Sequence, residues 1–364
     1  AYVHVVSSAD LPQAQQYSPP VRSKADNAQL DVAPMPESVQ QTYMRTSFTG
    51  ITTVHAGNVE RGGDIVAGGD EGPAMFEHFI GYTDASVPLG VPSMPLARIP
   101  GGTYVGKTLH SVYEAIDPGH PSLIEHVSDA VDRFVGGRLR SAHRQSIIDG
   151  VIASLSTPFG AALGANTLIS VGAHNRLAEL SFEMSLAHLN AGVTVQQIGQ
   201  VLNSMISDTD ILKPYAQQLS HESFNIPLAG LINGSIDALL RISTAGNEPR
   251  LYITDYKSNR LDRDGDDRVI DGYTTDRMCT EMMHHHYPLQ ALIYGAAVHR
   301  FLRWRAPHLD PDASIGGIAY FFIRAMVGPD TPVDEHGNVR GVFTWEAPSG
   351  LWQRLSDLMA GVTL

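Results

Sequence analysis

Apolar positions fall into order from about residue 100 onward. Over 104–116 they recur at Val105, Leu109, Val112, Tyr113 and Ile116, the spacing of one helix face. Pro118-Gly119 closes that segment. Helical spacing returns over 146–156 and 195–206, and 176–184 alternates well enough to be a strand. The most legible stretch is 229–257. Two β-type runs, 231–242 and 250–257, flank a connection over 243–249 that holds Gly246 and Asn247, so a β-hairpin is expected. A long helix follows over 287–305, with Pro288 suited to its first turn and Ala306-Pro307 at its end. A strand over 315–324, a partner over 341–346 and a helix over 350–359 complete the pattern. Strands with helices on either side predict an α/β sandwich. Tyr104 and Tyr113 are both expected in the core.

The first part of the chain reads differently. Pro12, Pro19, Pro20, Pro34 and Pro36 stand among Gln, Ser and Ala with no apolar period, so 1–45 is expected to be a linker. Gly57, Gly62, Gly63, Gly68, Gly69 and Gly72 crowd the next stretch, which predicts a flexible loop over about 55–72.

Composition narrows the function classes. Of 364 residues 43% are hydrophobic and 17% charged, enough apolar material for a large core and too much for a disordered chain. The formal charge of −13 argues against coating nucleic acid through bulk positive charge, though not against gripping a strand in a local groove. Only four of the 25 basic residues are lysines: Lys24, Lys107, Lys213 and Lys257. Cys279 is the sole cysteine, so intrachain disulfides and cysteine-quartet metal sites are excluded, and a cytoplasmic setting is expected. No apolar stretch is long enough to span a bilayer as a helix. The chain begins at Ala1 with no signal-peptide pattern, and is expected to be a segment of something longer.

The hairpin brings chemistry together. Asp255 and Lys257 are two apart on one strand and project from the same face. Asp237 lies nine residues before Gly246 and Asp255 nine after it, so a turn centred there sets the two aspartates opposite one another. Paired carboxylates need a cation between them or a proton on one. Oxygen ligands with retained waters suit Mg²⁺.

This G-x-x-D then D-x-K pattern resembles the PD-(D/E)xK nucleases. Gly234-Ser235-Ile236-Asp237, Asp255-Tyr256-Lys257-Ser258-Asn259 and Tyr287-Pro288-Leu289-Gln290-Ala291-Leu292-Ile293-Tyr294 resemble, more narrowly, the RecB-type nuclease domain. That is the C-terminal domain of the beta subunit of bacterial exonuclease V. Gly106-Lys107-Thr108-Leu109-His110 resembles that family's upstream histidine motif, and Ala178-Glu179-Leu180-Ser181-Phe182 its acidic strand. Stretches 317–324 and 341–345 resemble its late strands. The likeness runs over about 46–364, with a catalytic core over about 100–345.

The resemblance implies a restriction-endonuclease-like core: a mixed central β-sheet flanked by helices, with extra N-terminal helices. It implies a Mg²⁺-dependent DNA nuclease, with Ca²⁺ or Mn²⁺ able to enter the same site. Asp237, Asp255 and His110 would be metal ligands, with the Tyr256 carbonyl beside them. Lys257 would orient or deprotonate the attacking water. Gln290 and Tyr294, four apart on one helix face, would touch the DNA strand. Glu179 is either a third acidic neighbour or an exposed strand residue. The wider machine implied has helicase domains ahead of the 1–45 linker, RecC and RecD subunits as partners, and RecA docking here, and it processes double-strand ends. A catalytically silent scaffold with the same fold and a stand-alone nuclease are the alternatives.

Three other clusters are weaker. His284, His285 and His286 are adjacent and cannot converge on one point of a helix, so they are expected at a solvated helix start or near DNA. The acidic run over 262–267 lacks the glycine and glutamate of a calcium loop and reads as a polar turn. Arg300, Arg303 and Arg305 either contact phosphates or favour the end of the long helix, and Arg138, Arg140 and Arg144 are equally open.

Overall fold

The computed structural model describes residues 45–55, 93–188, 191–244, 248–261 and 270–362. The expected linker up to residue 44, nearly all of the glycine-rich loop, the hairpin apex at 245–247 and the acidic run at 262–267 lie outside the described residues.

Six strands make one sheet: β1 (Arg45–Ser47), β2 (Arg176–Ser185), β3 (Leu231–Ile242), β4 (Arg250–Lys257), β5 (Ile315–Phe322) and β6 (Val342–Glu346). The order is β1-β3-β4-β5-β6, with β2 along the other edge of β3. β1 runs parallel to β3 and β4 parallel to β5, while the remaining pairs are antiparallel, so the sheet is mixed as expected. Helices α1 (Phe48–His55), α2 (Thr103–Ala115), α3 (Leu123–Phe134), α4 (Gly137–Ser156) and α5 (Leu168–Val171) precede β2. Between β2 and β3 come α6 (Val195–Met205) and α7 (Lys213–Leu219). Parallel pairing of β4 with β5 needs a crossover, which α8 (Thr275–His284), α9 (Tyr287–Arg305) and the short α10 (Pro311–Ser314) provide. The last helix is α11 (Leu351–Met359).

The sheet separates two cores. Ile318, Tyr320 and Phe322 of β5 join the side packed by α6–α9 and α11. Their neighbours Ala319 and Phe321 join the side packed by α2–α5. Every residue of β5 is buried, the mark of a central strand covered on both faces.

Alternation breaks at one point of β3. Ile232, Ile236 and Leu239 belong to the α9 side, whereas Ala238, Leu240 and Ile242 belong to the α2 side. The inward positions therefore shift by one residue around Asp237. The β2 ladder has the matching irregularity: Ala178 pairs with Ala238 and Leu180 with Ile236, while Glu179 between them takes a left-handed φ of 52°. On its other edge, β3 pairs with β4 over 238–242 and with β1 over 231–233. Residues 234–237 lie between these two partners, at a fork in the sheet.

Two expectations need correction. The helix read over 146–156 begins earlier, at Gly137. Its first turns show no apolar stripe because polar bonds hold them: Arg144 donates to both carboxylate oxygens of Asp132 on α3, at 2.8 and 2.7 Å. Tyr104 is 61% exposed on the outer side of the first turn of α2, while Tyr113 is fully buried as expected.

Candidate active site at the strand fork

The fork forms where the hairpin ladder stops. Ala238 pairs with Thr254, so the next pair in register is Asp237 with Asp255. Their strands part there, and the Tyr256 N–H donates to Asp237 Oδ2 at 2.9 Å instead of to a carbonyl. β4 continues beyond the fork because β5 carries it as far as the Lys257–Phe322 pair. The expected face-to-face placement of the aspartates thus holds, with the ladder opened to admit them.

Each layer contributes a cation. From the α2 side, His110 Nδ1 lies 3.1 Å from Asp237 Oδ2. Its ring meets Tyr256 edge-on, and Tyr256 stacks on Tyr113 of the same helix at 4.5 Å. That stack seats α2 against β4. From β4 itself, Lys257 Nζ lies 2.6 Å from Asp255 Oδ2. Asp255 is 1% and Lys257 2% exposed, so this pair has left water almost entirely. The Lys257 ammonium lies 3.8 Å from the centre of the Tyr287 ring and 5.5 Å from that of Tyr320, where cation–π attraction holds it.

Titration follows from this packing. Burial works against the His110 imidazolium, but the charge and hydrogen bond of Asp237, with Asp255 behind them, push it up to about 9. Burial also works against the Asp237 carboxylate, yet His110 outweighs it and holds the group below its ordinary value. For Asp255 burial dominates, Asp237 adds to it, and the group rises well above the usual carboxylate range despite Lys257. Burial opposes the Lys257 ammonium, and Asp255, Tyr287 and Asp237 together raise it above its ordinary value.

Two observations fit a small divalent cation here. The carboxylates are already neutralised by cationic partners, so a metal would take over an existing charge role. Among the described residues the buried His110 Nε2 has no hydrogen-bond partner, leaving a nitrogen lone pair or proton unused. Among the described residues no three His, Cys, Asp or Glu side chains form a ready-made cage. Ligation by Asp237, Asp255 and His110 would therefore require the two ion pairs to loosen.

The other expected residues are also nearby. Glu179 accepts from the Ser235 hydroxyl, and burial, with Asp237 close by, raises it above its ordinary value against that bond. A non-glycine residue in the left-handed region beside the half-buried Asp237 carboxylate is local strain at the site. Gln290 and Tyr294 are buried side by side, with Gln290 Nε2 donating to Tyr294 Oη at 3.3 Å and Tyr320 Oη donating to Gln290 Oε1 at 3.1 Å. They fix α9 beneath the site instead of facing solvent.

No protein-family model matches the chain. Individual proteins do. Over 275 residues it is 37% identical to the RecBCD enzyme subunit RecB of Mycobacterium tuberculosis, covering 73% of this chain and 24% of that protein. The chain is a RecB homologue. The RecB of Mycolicibacterium smegmatis is 34% identical over 274 residues, covering 74% of this chain and 25% of that protein. For Escherichia coli RecB the identity is 27% over 273 residues, with 75% and 20% covered. The match falls in the C-terminal part of these RecB proteins, and the chain spans about a quarter of their length.

Against this RecB background, the sequence reading missed two site residues, Tyr287 and Tyr320. Tyr287 could have been found, because it precedes Gln290 and Tyr294 by three and seven residues and so shares their helix face. Tyr320 had no such signal within an unbroken apolar strand. The histidine run is split: His286 Nδ1 bonds Tyr215 Oη at 3.0 Å, while His285 Nε2 meets Glu281 at 3.1 Å and its ring stacks on Tyr287 at 5.3 Å. Arg300 bonds Ser185 and Ser356, and Arg303 lies 3.5 Å from Asp357, so both have protein partners.

Proposed function

We propose that this chain is a Mg²⁺-dependent DNA nuclease with a PD-(D/E)xK core, acting in RecBCD-type processing of DNA ends during repair, recombination and degradation. The observation that carries this is the meeting, at one fork, of Asp237, Asp255 and Lys257 from the hairpin with His110 from the opposite layer. Nothing in folding calls for a buried and a half-buried carboxylate facing each other, since apolar residues of similar volume would cost less desolvation.

Asp237, Asp255 and His110 would hold the ion, with the Tyr256 carbonyl as a further oxygen. When bound, Mg²⁺ polarises a phosphodiester and offsets charge developing on its oxygens. Lys257 is held as an ammonium by Asp255 and the tyrosine rings, which suits it to orient a water and to neutralise a phosphate oxygen. That favours orientation over proton abstraction, since an ammonium has no lone pair to accept a proton. Gln290 and Tyr294, both buried, would brace α9 beneath the site instead of touching the strand. Homology extends the proposal to RecC and RecD subunits as partners, to a helicase motor that delivers single strands, to RecA docking and to a cytoplasmic location.

The test is cleavage of single-stranded DNA by the wild type, with and without Mg²⁺, beside His110→Ala. Cutting should require the ion, and His110→Ala should need more of it. A folded protein that binds DNA but never cuts, alone or with its partner subunits, would instead be a silent scaffold.

Metal binding should also depend on pH. A ligating aspartate must be ionised and a ligating histidine neutral, yet both are shifted toward their protonated forms. Bound metal therefore displaces protons, and Mg²⁺ affinity should climb as pH rises toward about 9. Calorimetric titration in buffers of different ionisation enthalpy checks this. No proton release at pH 7 would contradict it.

A further inference from the structure

Arg324 lies two residues beyond β5, is 1% exposed, and has no part in either ion pair of the fork. Its guanidinium donates to four backbone carbonyls. Nη1 reaches Leu96 O and Ile99 O, the latter at 2.9 Å, and Nη2 reaches Pro100 O at 2.8 Å. On the opposite side, Nε donates to Ser258 O at 2.6 Å. The first three acceptors belong to the turn that leads into α2, the helix of His110. The fourth is the residue after Lys257.

Both ends of this connection are anchored. The Ile323 N–H donates to Lys257 O at 3.0 Å, fixing the end of β4 to the chain that carries Arg324. Leu96 plugs against α4, filling the space that a Cβ at Gly150 would occupy. Arg260, three residues after Lys257, adds a second link through Nη2 to Ala97 O at 3.2 Å. An apolar side chain could fill the volume of Arg324 without desolvating a charge. What it could not supply is a planar fork with donors on two sides, able to hold two chain segments at a fixed spacing.

We propose that Arg324 is a positioning residue for the cutting centre: it registers the helix bearing His110 against the strand bearing Asp255 and Lys257. The groups in contact with metal and water come from two layers that the sheet ladder does not join, and this side chain spans them through their backbones. The proposal rests on the nuclease reading of the fork.

Arg324→Lys keeps the charge and removes the fork geometry. In the folded full-length chain, Mn²⁺ affinity measured without DNA should fall about tenfold, as for loss of an outer-shell partner. The kcat on single-stranded DNA should fall by a similar factor while KM stays within about twofold. His110→Ala combined with Arg324→Lys should be no worse than His110→Ala alone, because one acts through the other. Hydrogen exchange should quicken over 95–110 and stay unchanged over 231–242.

Wild-type metal affinity and kcat in folded Arg324→Lys, or losses that multiply in the double variant, would overturn the proposal. If Arg324→Lys does not fold, Arg260→Ala takes its place. It should weaken Mn²⁺ binding in the same direction, and unchanged affinity would overturn the proposal. If the wild type neither binds Mn²⁺ nor cuts, the nuclease reading fails by itself. The exchange measurement then decides alone, and unaltered exchange over 95–110 removes the positioning role.

Discussion

Asp255→Ala is expected to lower strand cutting by about 10²–10³-fold or more, the scale on which removal of one electrostatic contact slows a preorganised site. The same substitution should destabilise the metal-free protein. Lys257 would stay 2% exposed without the carboxylate that now lies 2.6 Å away. Breaking such a pair from one side costs about 3–5 kcal/mol, because a buried charge is left uncompensated. The two effects separate in the double variant Asp255→Leu with Lys257→Met. Removing both charges should restore most of the stability and none of the activity. Urea unfolding without metal, beside single-turnover cleavage with Mg²⁺, measures both quantities. Cutting at the wild-type rate by folded Asp255→Ala would sink the assignment of the site.

Gly295→Ala should produce the largest loss of stability among small changes to α9. A Cβ at that position would meet the Trp352 ring at 2.0 Å, well inside contact distance. Trp352 belongs to α11, is among the largest fully buried side chains, and shares its core with α9. The indole is flat and rigid, so α9 and α11 would have to separate. Overpacking of this kind costs about 1–3 kcal/mol, with the upper end expected here. The urea midpoint should fall with an unchanged slope, and Trp352→Leu in the same chain should recover part of the loss. Tyr287, in the first turn of the same helix, would register the movement as weaker seating of Lys257. A midpoint equal to that of the wild type would mean that the ring has room to turn.

Much of this centre was legible because it lies on elements with strong local patterns. β3, β4 and α9 match the ranges read from periodicity, and the symmetric spacing of Asp237 and Asp255 about Gly246 agrees with the register next to Ala238–Thr254. What stayed hidden depends on distant partners. The fork exists because β4 leaves β3 to follow β5, and a parallel pairing across three helices leaves no mark in a short window. The left-handed turn at Glu179 answers the kink at Asp237 on another strand, so no residue preference announced it. α4 was read too short because its first turns are held by Arg144 and Asp132, not by an apolar stripe. Arg324 carries no signal in the sequence, because its partners are backbone carbonyls, which every residue carries.

The crossover between β4 and β5 has a consequence in time. Lys257 is fixed by its pairing with Phe322 only after the chain has passed through α8, α9 and α10 and returned. Closure of so long a loop comes at an entropic cost that short-range contacts do not bear. A chain still emerging during synthesis, or one clipped before residue 315, holds both aspartates and the lysine yet has no completed fork. The proposed capacity to cut would thereby be tied to the finished fold, and fragments of the protein would be harmless to the DNA around them.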